Sequence, residues 1–449
     1  MTETIEMDIR LLNRKRSIKR GGSSLEDSEK YIKELKVDIT PNSQPIQFSP
    51  NINERVHRWA PYVQGFSSSF VQSQLDKYKG QYQNPRILDP FSGCGTVLAQ
   101  AKFNGIESLG IEINPLMQFI ANMKINSWDI YPNYLMQIYN NLDKSELAEP
   151  PEFLKSKNHF LPGVLENLLR IKHGIDSFEP STENQIKIID LIKVAFSSIL
   201  IDSSNLKRAP CLGYAKNKSI EDSTPMVLLN QKIENICDDL RFIQNEFPNL
   251  INVRSDIYLN NSKDFKHDEQ YDLVITSPPY MNGMDYVINY KIEMAWLGFA
   301  DEQKELSKLK NDMVVCDNVS KYTIRSFVQS KQNYSNDWIE EIKNKINNNI
   351  KKRGSYRRTD MANIVHKYFD DMWEIMSNTI PNIKHGGRFV LVVGDSLIAD
   401  TYLPTDLLIA RMGKELGLEI ESIEQARERR SGQIRSYKLR ESIVTLRKQ

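Results

Sequence analysis

A short apolar run, Ile87-Leu88-Asp89, leads through Pro90-Phe91-Ser92-Gly93-Cys94-Gly95-Thr96 into helix-forming residues. Two glycines one residue apart permit tight backbone geometry and close approach of a ligand. The pattern predicts a helix from about Thr96 to Phe103, with its free N–H groups pointing back at the turn. Gly105 closes that helix, and Ser108-Leu109-Gly110-Ile111-Glu112-Ile113 reads as the next strand. Strand, turn, helix and strand in this order begin a parallel α/β sheet. Glu112 falls 23 residues after Asp89, at the strand end. A βαβ nucleotide site places there the acid that takes ribose hydroxyls. The turn departs from G-x-G-x-x-G, because Thr96, Val97 and Leu98 follow Gly95, and it lacks the lysine of a P-loop. A nucleoside ligand without a phosphate clamp fits this pattern; a plain glycine corner is the alternative.

A second unit stands downstream. Tyr271-Asp272-Leu273-Val274-Ile275 reads as a buried parallel strand, and Thr276-Ser277-Pro278-Pro279-Tyr280 follows directly. The exocyclic amine of cytosine or adenine is a poor nucleophile, because its lone pair is delocalised into the ring. Acceptors on both amine protons pull the nitrogen toward tetrahedral geometry. The Ser277 hydroxyl and the Pro278 carbonyl are the acceptors on offer, and Pro278-Pro279 fix φ and hold that carbonyl still. Tyr280 supplies a flat face for a base turned out of the duplex. No strong general base is needed, since the proton leaves an already methylated, cationic amine. The plainer reading is a proline-rich turn with Tyr280 packing.

Asp89-Pro90-Phe91-Ser92-Gly93-Cys94-Gly95-Thr96 resembles the cofactor motif of the DNA amino-methyltransferases. Thr276-Ser277-Pro278-Pro279-Tyr280 resembles their catalytic motif, in the serine form most associated with cytosine-N4 enzymes. His57 to Ser67, with Tyr62 and Phe66, resembles the segment that closes over the methionine end of S-adenosylmethionine. Asp256, after an expected strand Leu250–Val253, matches the family's acidic position near the adenine ring, and Gly386–Asp395 matches a late core strand. The resemblance implies an α/β, Rossmann-like methyltransferase fold with a mostly parallel seven-stranded sheet, an antiparallel edge hairpin and helical inserts. It implies S-adenosylmethionine on Asp89, Phe91, Gly93, Gly95, Thr96, Glu112, Asp256, Tyr62 and Phe66, and catalysis by Ser277, Pro278, Pro279 and Tyr280. It also implies double-stranded DNA as substrate, base flipping, and a partner endonuclease or other defence protein in a restriction-modification system. Cytosine N4 is the favoured acceptor, with adenine N6 the alternative.

The organisation is less regular than the motifs. With 449 residues the chain has room for two or three domains. Residues 1–50 are a polar, flexible N-terminal segment with a basic run at Arg14-Lys15-Arg16 and Lys19-Arg20. Residues 51–128, 250–300 and 366–449 read as catalytic core. Between them lie a helical insert, 129–249, and a basic insert, 301–365, either of which can meet DNA. The cofactor motif precedes the catalytic one, and about 140 residues separate Glu112 from Asp256, far more than a minimal core needs. Candidate DNA contacts are Lys207 and Arg208, then Lys351, Lys352, Arg353, Arg357 and Arg358 around Tyr356, then Arg429 and Arg430 at an expected hairpin tip, 427–435. A solvated charge run is the alternative reading of each group, and the 351–358 cluster, with an aromatic inside it, best suits phosphate contact.

A net charge of +1 leaves nucleic-acid binding to local patches rather than the whole surface. Four cysteines without C-x-x-C pairing point to a reducing compartment and no metal site. No apolar stretch approaches the ~20 residues of a membrane span, so a cytoplasmic protein is expected, with no membrane partner. Pro210-Cys211 superficially offers the nucleophile of cytosine-C5 methylation, but lacks the Pro-Pro-Cys-Gln context. RNA amino-methyltransferases more often carry Asp where Ser277 stands. A catalytically silent DNA-binding subunit should have lost one of the two motifs, and both are intact.

Overall fold

The computed structural model describes residues 21–449, apart from Ser43, Pro45, Val63, Gln64, Ala209, Pro210, Asn282, Met284, Ser355, Gln433 and Arg435. The basic run at 14–20 lies outside the described residues. The chain divides into two compact units, one of residues 46–261 and 284–312, the other of 1–45, 262–283 and 313–449. Both are mixed α/β, in keeping with the Rossmann-like fold that the sequence predicts.

The first unit carries three parallel strands: β1 (Arg86–Asp89), β2 (Glu107–Glu112) and β3 (Ser255–Leu259). β1 lies beside β2 with Asp89 opposite Gly110, and β2 beside β3 with Glu112 opposite Leu259. The helix Thr96–Phe103 joins β1 to β2 over the expected residues. The next helix, Pro115–Asn126, is specified locally: Asn114 caps the N–H groups of Leu116 and Met117, and Pro115 sits at the first turn. Three longer helices follow, Pro162–Asp176, Glu183–Ile199 and Thr224–Glu246. The expected strand at 250–253 is instead a 3-10 turn, Pro248–Leu250, with β3 beginning at Ser255. Pro248 cannot donate to a ladder, so pairing starts beyond it. Asp256 therefore lies on the strand and not past its end.

The second unit carries β4 (Tyr271–Thr276), β5 (Ile383–Gly394), β6 (Leu418–Arg430) and β7 (Tyr437–Lys448). β4 and β5 are parallel; β5 with β7 and β7 with β6 are antiparallel. β6 and β7 form the expected antiparallel hairpin, but its strands run longer than the sequence predicts, and Ile39–Pro41 pairs outside β6 so that the hairpin is not the sheet edge. Arg427–Arg430 belong to β6 itself, because they keep pairing with Lys438 to Glu441 across the ladder.

Residues 21–50 are also better ordered than the polar composition predicts. The helix Ser24–Leu35 is capped by Ser23 and buries Tyr31 and Leu35, and Ile39–Pro41 pairs parallel to β6. Among the described residues no helix is long and apolar enough to cross a membrane.

Candidate active site

In the first unit the glycine turn forms a cradle. Gly93 has φ +52° and Gly95 +79°, both in the left-handed region that favours glycine. A Cβ on Gly95 would stand 2.8 Å from the Ala121 Cβ, and one on Gly93 would stand 3.1 Å from the Tyr62 ring. The turn therefore packs under a tyrosine that comes from the 57–67 segment. Tyr62 is buried and stacks on Tyr290, with ring centres 5.7 Å apart. Phe66 is buried beside Phe70. Asp89 is buried and accepts from the Phe91 N–H at 3.0 Å, which sets the corner after β1. Thr96 is buried at the first residue of the helix.

Glu112 stands at the end of β2, where the spacing places it. Its carboxylate takes the N–H of Gly93 at 2.7 Å and of Asn114 at 2.8 Å. Burial nevertheless pushes its pKa up to about 7, against the downward pull of these amide bonds. Asp256 is half-exposed and paired to Arg254 at 2.7 Å.

The 57–67 segment is held by a residue that the sequence does not single out. Asp239, fully buried on the helix Thr224–Glu246, accepts from the Val56 N–H (2.9 Å), Trp59 Nε1 (2.9 Å), Arg58 Nη2 (2.7 Å) and Arg55 Nη1 (3.1 Å). Val56 has φ +65°, strained for a β-branched residue, and such strain persists only where the surroundings enforce it.

In the second unit the serine-proline turn leaves the end of β4. Pro278 is buried, while Ser277, Pro279 and Tyr280 are part-exposed. Ser277 Oγ donates to the Val392 carbonyl at 3.2 Å, which spends its proton and leaves oxygen lone pairs to accept. The Tyr280 hydroxyl donates to Glu441 at 2.6 Å, and burial together with that carboxylate holds its pKa well above the usual tyrosine value. Arg427 pairs with the other Glu441 oxygen. The Arg429 guanidinium stands 5.3 Å from the centre of the Tyr280 ring and donates to the Asp395 carbonyl at 2.9 Å.

Strand register makes this cluster. Across β6 and β7, Gln425 pairs with Ser442 but Arg427 pairs with Glu441, so one extra residue is inserted into β6 between them. A bulge of this kind moves every later side chain to the other face. Arg427 and Arg429 thus share a face with Glu441, and Gly394 of β5 lies directly opposite Glu441. A Cβ on Gly394 would meet Arg429 Nη2 at 2.3 Å and Tyr280 Cε2 at 2.9 Å, so only glycine fits there. On the other face, Arg440 is buried between Asp406 and Asp395, and Ser442 donates to Asp406.

The expected DNA-contacting residues divide. Lys207, Lys351, Lys352 and Arg430 are exposed. Arg208 is committed internally: it pairs with Glu293, donates to the Asn289 carbonyl and covers the Tyr290 ring at 4.5 Å. Arg353 is nearly buried on Asp400, Arg357 pairs with Asp317, and Arg358 chelates Asp360. Arg357 and Arg358 also line a depression of about 500 Å3 with Lys321, Arg325 and Tyr356.

Sequence comparison finds several methyltransferases similar to the chain over most of its length. The chain is 26% identical to the type II methyltransferase M.BsoBI of Geobacillus stearothermophilus, over 94% of this chain and 91% of that protein. The chain is a relative of the type II methyltransferases. M.AvaI of Nostoc sp. is 24% identical over 84% of this chain and 82% of its own length. M.MvaI of Kocuria varians is 24% identical over 87% and 88%. No protein-family model matches the sequence. The likeness to these methyltransferases spans both motif regions and the segments between them, so the resemblance read from two short motifs extends over most of the chain.

Proposed function

We propose that the protein is a site-specific DNA methyltransferase that methylates the exocyclic amine of a flipped base, cytosine N4 in preference to adenine N6. The observation that carries the reading is the Ser277-Pro278-Pro279-Tyr280 turn, whose serine proton is already given to Val392 and whose tyrosine is already tied to Glu441. Such a turn offers two acceptors and a flat ring, and no strong base. S-adenosylmethionine, when bound, supplies an electrophilic methyl group on a sulfonium sulfur. The first unit's residues fit that cofactor: a glycine cradle without a lysine, a carboxylate at the strand end for ribose hydroxyls, and an aromatic cover in Tyr62. Ser277 Oγ and the Pro278 carbonyl accept the two amine protons and localise the nitrogen lone pair. With the cofactor held by the first unit's residues, the nitrogen presented by Ser277 and Pro278 would take its methyl group, and the sulfonium sulfur would keep the electron pair of the broken carbon–sulfur bond. The proton then leaves the cationic amine toward these acceptors and solvent. Type II relatives favour a role in restriction-modification beside an endonuclease. Modified-base sequencing of DNA from cells expressing the protein tests the reading: N4-methylcytosine in one sequence context is expected, N6-methyladenine would move the target to adenine, and neither would remove the activity.

Cofactor affinity should depend on pH through Glu112. Ribose hydroxyls donate to the carboxylate form, whereas Glu112 in the free protein titrates at about 7. Below that pH a proton must leave before the bond forms, so affinity should fall as pH falls, by up to about tenfold per unit, and level off above 7. Calorimetric titration at pH 6 and pH 8 checks this. Glu112→Gln should flatten the dependence and weaken binding at pH 8 by about 1–3 kcal/mol. An unchanged affinity in the folded variant takes Glu112 out of the site.

For DNA docking, the basic depression is proposed as the phosphate contact, with Lys321 and Arg325 as its exposed cations. Each phosphate contact contributes about 0.9 to the slope of log K against log salt. Lys321→Gln with Arg325→Gln should therefore reduce the slope by about 1.8, uniformly across DNA sequences. Superimposable salt curves for variant and wild type would place this face in solvent.

A further inference from the structure

Arg429 is left with an unmet need beside the target-base turn. Its Nη2 donates to the Asp395 carbonyl, but its Nε is buried and finds no acceptor among the described residues. A buried N–H without an acceptor is costly to keep. The surroundings nevertheless hold it there: a bulge in β6 turns Arg429 onto the Glu441 face, and Gly394 lacks the side chain that would displace it. The guanidinium stands over the Tyr280 ring, 5.3 Å from its centre and within cation–π reach, so it is held at the rim of the target-base turn.

A base laid on that ring presents its Watson–Crick edge to the surrounding groups. In cytosine the reactive amine is followed along the edge by two adjacent acceptors, N3 and O2. In adenine the amine is followed by one acceptor, N1, and then by a C–H. A guanidinium is a planar fork of donors and matches two adjacent acceptors rather than one. Resting on the proposed methyl transfer to a flipped base, we infer that Arg429 is the specificity-determining residue of the site, donating to N3 and O2 of cytosine laid against Tyr280. Glu441 and Gly394 are then positioning residues: the first anchors the Tyr280 hydroxyl and the second lets Arg429 approach.

The test compares cytosine with 3-deazacytosine, which keeps the amine but replaces N3 by C–H. Both are placed at the target position of a duplex carrying the methylated sequence context. Wild type, Arg429→Ala and Arg429→Lys are assayed for kcat/KM, with cofactor titration as the check of folding. The intrinsic reactivity difference between the two bases is common to all three proteins and cancels in the comparison. Loss of a bidentate contact is expected to make the analogue penalty about ten- to a hundredfold larger in wild type than in Arg429→Ala, with Arg429→Lys between them. Where turnover of Arg429→Ala is too slow, affinity for the two duplexes gives the same comparison. Equal analogue penalties in all three proteins would show that Arg429 only props Tyr280, and would overturn the inference while leaving the methyl transfer intact. Wild type that methylates adenine, or no base, fails at the first measurement and overturns the parent reading instead.

Discussion

Asp239→Ala should destabilise the first unit by about 3–5 kcal/mol, a large share of a typical folding free energy. The side chain is fully buried and takes five N–H donors from Arg55, Val56, Arg58 and Trp59. Arg55 and Arg58 are part-exposed and can turn to water. The Val56 amide and Trp59 Nε1 cannot, and each orphaned buried donor costs about 1–3 kcal/mol. The left-handed Val56 backbone would also lose the bond that enforces it. Loosening 55–59 releases Tyr62 from above Gly93, so cofactor affinity should fall together with stability. Denaturant unfolding of the variant, alongside calorimetry with S-adenosylmethionine, reads both effects. A variant as stable as wild type would mean that Asp239 does not hold this segment.

Tyr280→Ala should depress methyl transfer by two orders of magnitude or thereabouts while leaving cofactor binding intact. Stacking of a base on an aromatic ring contributes about 1–3 kcal/mol. The same substitution frees Glu441 and uncovers Arg429, so the loss should lie at the upper end of that range. Tyr280→Phe separates the two contributions: the ring remains, and only the bond to Glu441 goes. Its kcat/KM should fall by about tenfold, the lower end of what one hydrogen bond to a charged group is worth, because this bond positions the ring and does not touch the base. Single-turnover assays with saturating cofactor measure both variants. Wild-type turnover by Tyr280→Ala would mean that the base does not rest on this ring.

Both chemical motifs were legible because each is contiguous. The 87–113 unit encodes its own turn, helix and acid, and Asn114-Pro115 encodes the next helix start. Local hydrogen bonds decide such elements, and a sequence states local bonds directly. The serine-proline turn is equally self-contained, since two prolines fix the backbone whatever surrounds it. The resemblance to DNA amino-methyltransferases rested chiefly on these two stretches.

What surrounds them came from the tertiary structure. Nothing near Asp239 in the chain marks it as the anchor for a segment about 180 residues earlier. Arg353, Arg357 and Arg358 looked like one basic patch, but Asp400, Asp317 and Asp360 neutralise them singly. Composition counts charges and does not pair them. Arg427–Arg430 looked like a loop tip, yet a bulge in β6 turns Arg427 and Arg429 onto the face that holds Glu441 and Tyr280. One residue of register decides which face a strand's side chains take, and register is a property of the paired strands. The sequence by itself determined the reactive turns; the pairing of distant strands and charges decided which side chains stand around them.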